Sequence, residues 1–378
     1  MNKMESRVRL EVDLAKVRHN FETIADRVAP GKVISVLKAN AYGLGVRPIA
    51  EMLASCGSAG FAVAEVNEAL ELVDLELPVR VLGNLLPAEI APAVEAGLVC
   101  PVGDLEGAKR LSAEADRQHK KVRVQFAIDT GMGRLGILVC NALEVIEAVA
   151  KLPNLELYGI FCHCPVAYNK YDEFTVGQIV KFKTLLSALA DRGYAFKEVH
   201  MAASDAINNF PEATRLPFNR VRAGINLYGY CDNEVAHTMD LRGVVTLKTR
   251  LAAVRTLPEG TTIGYGRTYA LRKPTRVGTI AAGYADGLPL ALSNRGYVLL
   301  NGAYCPVLGR LSMDYTTILL DHVPEAKCGD EVVCIGEQNG NSISIEEWAQ
   351  LKGTHAYELL CSIGTRVERI YKDTGERR

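Results

Sequence analysis

Lys38 is the first residue of this chain whose type and place suggest chemistry. It directly follows the apolar, β-branched run Val33–Leu37. An ammonium leaving an apolar strand sheds hydration, which lowers its pKa, and the neutral amine can then condense with an aldehyde. The alternative is a lysine whose stem lies along apolar surface while its charge stays in water. His163 ends another apolar run, between Cys162 and Cys164. The three are too closely spaced for a usual zinc site, so no metal is expected. Arg222 sits in the strand-like stretch Val221–Leu227, where an unpartnered guanidinium would be costly. Ser204, just before Asp205, reads equally as a helix cap or as an anion ligand. Taken singly, Tyr42, Tyr265, Tyr284 and Tyr357 read as packing residues.

The elements that must position these residues follow from hydrophobic periodicity. Eight short runs read as strands: Val33–Leu37, Gly60–Val63, Val79–Leu82, Leu98–Val102, Val122–Ile128, Leu157–Phe161, Val199–Ala202 and Val221–Leu227. Amphipathic helices separate them, among them Asp13–Val28, Asp104–Arg117 and Glu173–Asp191, with Asp13 and Asp104 as N-caps. Eight strand and helix units predict a (β/α)₈ barrel, whose enzymes work at the C-terminal rim where Lys38 would emerge. A doubly wound sheet is the competitor, but no G-x-G-x-x-G follows the first strand. Beyond residue 240 the texture changes to the strand-like runs Gly243–Val254, Arg276–Ala281, Tyr297–Leu300, Thr316–Leu319 and Glu331–Ile335, with one helix, Ser344–Leu351, carrying Trp348. The predicted organisation is a barrel over 13–240 and a mainly β domain formed by 241–378 with 1–12, the strand-like Ser6–Val12 pairing with the latter.

Composition excludes other classes. With 43 Lys+Arg against 44 Asp+Glu the chain has no basic surplus for nucleic acid, and 48% hydrophobic residues mark a globular protein rather than a disordered one. Apolar stretches such as Thr279–Ala282 are too short to cross a membrane, and Met1–Glu11 lacks a signal peptide's apolar centre. Ten cysteines without a C-x-x-C pair read as small buried hydrophobes in a reducing compartment, so a cytosolic location is expected.

The stretch Lys38-Ala39-Asn40-Ala41-Tyr42-Gly43-Leu44-Gly45 resembles the cofactor-lysine signature of alanine racemases. The resemblance continues in order through Asp129–Gly136, Arg222–Ile225, Gly264–Arg267, Gly283–Gly287 and Gly309–Asp314, and so covers nearly the whole chain. It implies pyridoxal 5'-phosphate (PLP) held as a Schiff base by Lys38, and interconversion of L- and D-alanine by two bases, Lys38 and Tyr265. In that family Tyr265 would enter from the partner subunit, making a homodimer with shared sites. An unperturbed phenol is a poor base at neutral pH, so its neighbours must favour the phenolate, and His163 matches the expected contact. Arg222 would face the pyridine nitrogen without protonating it. Tyr42, Ser204, the backbone N–H groups of Gly224 and Ile225, and Tyr357 would hold the phosphate. Arg134 and the Met313 backbone would hold the substrate carboxylate, Asp314 would orient its neighbours, and Tyr284 would narrow the entrance.

This sequence departs from the family pattern at Ala127, where many relatives carry a carbamylated lysine that steadies the arginine matching Arg134. It departs again at Leu290, often an arginine, and over Cys164–Asp172. The most natural role is D-alanine supply for peptidoglycan. A serine/alanine or broad-specificity racemase is the alternative, with Tyr357 favouring alanine. PLP-barrel decarboxylases and single-domain PLP-binding proteins lack the Gly264–Arg267 segment and the β domain respectively.

Overall fold

The computed structural model describes residues 6–232 and 238–373. The first five residues, part of the Met1–Glu11 segment discussed above, lie outside this range. The chain divides into two compact units, one of Lys16–Arg242 and one combining the described residues up to Ala15 with those from Gly243 onward.

The first unit is a ring of eight parallel strands in the order Val79–Val81, Phe61–Val63, Lys32–Val36, Arg220–Ala223, Glu198–Ala203, Leu155–Cys162, Val122–Asp129 and Cys100–Val102. A parallel bridge between Arg80 and Val99 joins the last strand to the first. The expected (β/α)₈ barrel is therefore present. Most strand residues are buried on both faces, because helices cover the outside while side chains fill the interior. Asp104 caps its helix by accepting from Gly107 N at 2.6 Å, and Asp172 does the same for Glu173–Asp191 through Phe174 N. Inside the barrel Arg80 and Glu198, 0% and 2% exposed, form an ion pair at 2.6 Å that also receives the Tyr158 hydroxyl at 3.3 Å. Two enclosed charges persist only when paired and hydrogen-bonded in this way.

The eighth strand differs from expectation. The run Val221–Leu227 is extended only through Ala223, and Ile225–Tyr228 forms a 3₁₀ turn. Gly224 breaks the strand, so the apolar residues after it line a turn at the rim rather than continuing the sheet. Cysteine burial is also uneven: Cys140, Cys328 and Cys361 are exposed, and none of the ten is in a disulfide.

Among the described residues the second unit is built on a nine-stranded sheet, with a separate antiparallel pair of Thr262–Ile263 and Tyr269–Ala270. The 13-residue strand Val245–Leu257 pairs with Arg9–Asp13, Thr275–Ile280 and Glu331–Gln338, so it closes part of the sheet on itself. Arg9–Asp13 lies between Val245–Leu257 and the C-terminal strand Glu368–Lys372. The helix Ile345–Lys352 starts in a capping box in which Ser344 Oγ accepts from Glu347 N at 3.1 Å, and it buries Trp348.

Candidate active site

The strand Lys32–Val36 delivers Lys38 to the C-terminal rim, and the backbone then does something uncommon. Ala39, Asn40, Ala41 and Tyr42 all have φ between 54° and 58°, a full left-handed turn without a glycine. Each such residue costs roughly 1–2 kcal/mol because Cβ crowds the following carbonyl. The turn is closed by Ala41 N to Leu37 O at 2.8 Å, Gly43 N to Ala39 O at 2.7 Å and Gly45 N to Asn40 O at 3.0 Å. It carries Tyr42 inward, 5% exposed, edge-on to Tyr228 with ring centroids 5.4 Å apart.

Beside it, Gly224 N donates to Ser204 Oγ at 3.1 Å, and Ser204 Oγ donates to Asn226 Oδ1 at 3.0 Å. Of its two readings, Ser204 is thus drawn to the rim turn and does not cap its helix. A Cβ on Gly224 would lie 2.4 Å from the Tyr42 hydroxyl and 3.6 Å from Ser204 Oγ. The Tyr42 hydroxyl leaves no room for a side chain here, so the close approach requires glycine, whereas Ser204 Oγ would be at ordinary contact distance. The buried Asn226 Nδ2 next to them has no hydrogen-bond partner among the described residues.

Arg222, 3% exposed, has no carboxylate among its hydrogen-bond partners in the described residues. One terminal nitrogen, Nη1, donates to His200 Nδ1 at 2.7 Å. The other, Nη2, donates to the carbonyls of Cys162 and Met201 at 2.8 and 3.1 Å and reaches His163 Nδ1 at 3.4 Å. Phe161 stacks on His200 and lies 5.3 Å below the guanidinium. Burial lowers the Arg222 pKa to about 10, which still leaves it a cation at neutral pH. Burial, followed by the charges of Arg222, Arg134 and Lys38, lowers His163 from 6.5 to about 3. His200 is lowered too, by burial first and then by Arg222. Both imidazoles are therefore neutral, and each accepts at Nδ1, so each carries its proton on Nε2.

Arg134 belongs to a loop wound around the Asp129 carboxylate, which accepts the N–H groups of Gly131, Met132 and Gly133 at 2.8–3.2 Å. A Cβ on Gly136 would lie 2.8 Å from the Ala127 carbonyl oxygen, so the loop folds tightly back onto that strand. The loop base is fixed, while Arg134 itself is exposed and engages no carboxylate among the described residues.

In the second unit Tyr265 opens a short 3₁₀ turn and is 72% exposed. Its segment is docked by a bridge from Gly264 to Arg310, and a Cβ on Gly264 would lie 2.7 Å from Arg310 O. Tyr284 and Ala285 donate from their backbone to Ser312 O and Met313 O, both at 3.1 Å. Arg366 gathers this region: it binds Asp286 at 2.7 and 2.9 Å and Asp314 at 2.8 Å. Met313, Tyr284 and Leu290 are 51%, 44% and 44% exposed, and Tyr357 is half-buried on the helix Ala356–Cys361.

The structure thus brings Lys38, Tyr42, Arg134, His163, Ser204, Arg222, Gly224 and Ile225 to one barrel rim. Tyr265, Tyr284, Met313, Asp314 and Tyr357 belong to the other unit. Sequence reading missed His200, Asn226 and Arg366. A histidine inside the otherwise apolar stretch Val199–Ala202 was the one available hint.

A strand-end lysine, a hydroxyl and amide cradle and a buried arginine between neutral histidines are groups that could hold an anionic, carbonyl-bearing cofactor on the rim of a barrel. The alanine racemase N-terminal domain family matches residues 12–232 and the alanine racemase C-terminal domain family matches 244–371. The chain belongs to the alanine racemase family. It is 39% identical to alanine racemase 2 of Caldanaerobacter subterraneus over 376 residues, covering 97% of this chain and 95% of that one. A solved alanine racemase of Clostridium difficile 630 superposes with a TM-score of 0.92 at 30% identity, over 99% of this chain and 98% of the other. The Bartonella henselae alanine racemase, solved with covalently bound pyridoxal phosphate, gives 0.88 at 28% identity, over 97% and 100%.

The rim residues fit such a cofactor. The glycine-only approach at Gly224, the Tyr42 and Ser204 hydroxyls and the unsatisfied Asn226 Nδ2 together suit a phosphate dianion. Arg222 is a fixed cation that can donate a hydrogen bond to a ring nitrogen but keeps its proton.

Proposed function

We propose that the protein interconverts L- and D-alanine with PLP attached to Lys38, and that Lys38 and Tyr265 handle the Cα proton on opposite faces. The observation that carries this reading is the placement of Lys38 on a rim with the Tyr42–Ser204–Gly224 cradle and the carboxylate-free Arg222, in a chain of this family. When bound, PLP supplies an electron sink that acidifies the Cα–H bond of an amino acid. The chain's own groups do the rest. Once the substrate amine has replaced it on the cofactor, the freed, neutral Lys38 amine would take the proton from D-alanine, or its ammonium return it, on one face, while Tyr265 as phenolate would take the proton from L-alanine, or as phenol return it, on the other. Arg134 and the Met313 backbone hold the substrate carboxylate, Tyr284 narrows the entrance, and Asp314 is fixed by Arg366 for this purpose. Because Arg222 keeps its proton, it steadies a ring nitrogen by hydrogen bonding alone, which limits how far negative charge is drawn into the ring. Neutral His163 can act toward Tyr265 as a hydrogen-bond partner, not as a cation.

The solvent-facing Tyr265 and Met313 support a homodimer in which each subunit completes its partner's site. Cysteines that form no disulfide suit a cytosolic enzyme that supplies D-alanine for peptidoglycan, and among the described residues no helix is long and apolar enough to cross a membrane. Loss of optical rotation from L-alanine, with borohydride fixing the pyridoxyl group on Lys38, tests the reading. Release of carbon dioxide, or a label on another lysine, overturns it.

A further inference from the structure

The left-handed turn after Lys38 has an anchor outside itself. One oxygen of Glu68 accepts the N–H of Ala39 at 2.5 Å and the other accepts the N–H of Ala64 at 2.8 Å. The same carboxylate thus ties together the exits of two neighbouring barrel strands, Lys32–Val36 and Phe61–Val63. Ala39 N belongs to the peptide plane that begins at the Lys38 carbonyl. Fixing that plane fixes the backbone direction at Lys38, and so where its side chain starts.

Packing does not do this job at the start of the turn. Lys38, Ala39 and Asn40 are exposed, and burial begins only at Ala41 and Tyr42. A run of non-glycine residues at positive φ persists only where its surroundings over-determine it. At the Tyr42 end those surroundings are the aromatic contact and the close approach of Gly224. At the Lys38 end they are the internal bonds of the turn, the Asn40 side chain accepting from Val46 N at 2.7 Å, and Glu68. Of these, only Glu68 reaches Ala39 N from a different strand exit.

We propose that Glu68 is a positioning residue for the cofactor lysine: its carboxylate holds the left-handed turn at Ala39 and so pre-sets Lys38 for attachment of PLP. This rests on the reading of Lys38 given above. Glu68→Gln keeps the side chain's shape but offers only one acceptor oxygen, so one of the two N–H groups must face an amide NH₂. Glu68→Asp keeps the charge but falls one methylene short.

Two readouts on the cofactor-free protein decide the matter. Hydrogen exchange of residues 39–42 and 64 should be at least tenfold faster in both variants, with the rest of the barrel unchanged. The rate at which added PLP becomes borohydride-trappable on Lys38 should fall about tenfold, and in the loaded enzyme kcat should fall more than the KM for alanine changes. Wild-type exchange in either variant would overturn the proposal. So would wild-type attachment in Glu68→Asp beside a slow Glu68→Gln, since charge alone would then be acting. A trapped label on a different lysine in the wild-type protein would instead remove the reading of Lys38. The exchange measurement would still show whether Glu68 holds the turn.

Discussion

His163 and His200 flank a guanidinium, and this arrangement makes stability depend on acid in a definite direction. The folded His163 pKa is lowered to about 3 by burial first, then by Arg222, Arg134 and Lys38, against 6.5 in the unfolded chain. Between those values the unfolded state binds the extra proton. Stability contributed by the neutral ring is therefore fully present above pH 6.5 and is lost as pH falls toward 3. One such group accounts for at most about 1.4 kcal/mol per pH unit. His163 is only partly buried, so solvent screening reduces its share between pH 6.5 and 4.5 to about 1–2 kcal/mol. Urea unfolding of the cofactor-free protein at fixed concentration, at pH 7.0 and 4.5, measures this for the wild type and for His163→Gln. The variant should lose about 1–2 kcal/mol less on acidification, whatever its stability at pH 7.0. Equal losses within about 0.5 kcal/mol, or a larger loss in the variant, would refute the argument that burial, reinforced by Arg222, keeps this imidazole neutral.

Other outcomes follow from the second unit. A Cβ on Gly283 would lie 2.2 Å from Ser312 O and 2.4 Å from Met313 O, so Gly283→Ala must displace the Met313 backbone. A shift of about 1 Å should cost on the order of 10²-fold in kcat/KM for alanine with little effect on cofactor content, read by steady-state kinetics and absorbance. Mixed Lys38→Ala and Tyr265→Ala subunits, each inactive alone, should regain activity when allowed to exchange. No recovery in proven heterodimers would place both bases on one chain. Tyr265→Phe should suppress deuterium wash-in at Cα from L-alanine at least tenfold more than from D-alanine, followed by NMR. Equal losses would make Tyr265 a packing residue.

Much of the barrel was legible because its strands are apolar on both faces. The runs read at Val79–Leu82 and Val122–Ile128 fall within a residue of the observed Val79–Val81 and Val122–Asp129. The eighth strand was overextended for the same reason: Ile225, Leu227 and Tyr228 are all buried, and burial alone does not distinguish a strand from a rim turn. In the β domain Tyr297–Leu300 was legible, but Ala303–Leu308 was not, since Pro306 inside the run reads as a break although the strand pairs with Tyr297–Leu300. Glu368–Lys372 was missed because its partner, Arg9–Asp13, lies at the other end of the chain.

The candidate site divides along the same physical line. Residues proposed to touch a cofactor or substrate sit in short local motifs, because a strand exit presents several neighbouring residues to the same small molecule. Lys38 with Tyr42 and Arg222 with Gly224 are such pairs, and a contiguous stretch of sequence reveals them. Residues that hold those motifs in place act across the fold. His200 meets Arg222 only because their strands are neighbours in the sheet, and Arg366 meets Asp286 and Asp314 from 80 and 52 residues away. Glu68 reaches Ala39 from 29 residues away. Nothing in the composition around Glu68 or Arg366 sets them apart from other surface charges, since their roles are fixed by which backbone groups and carboxylates the fold turns toward them. Their replacement should therefore disturb geometry before chemistry. In the Arg366→Lys variant a compact ammonium cannot bind Asp286 in two-pronged fashion while also reaching Asp314, so we expect the KM for alanine to rise several-fold with kcat largely kept. Loss of kcat at unchanged KM would mean that Arg366 takes part in the proton transfers themselves.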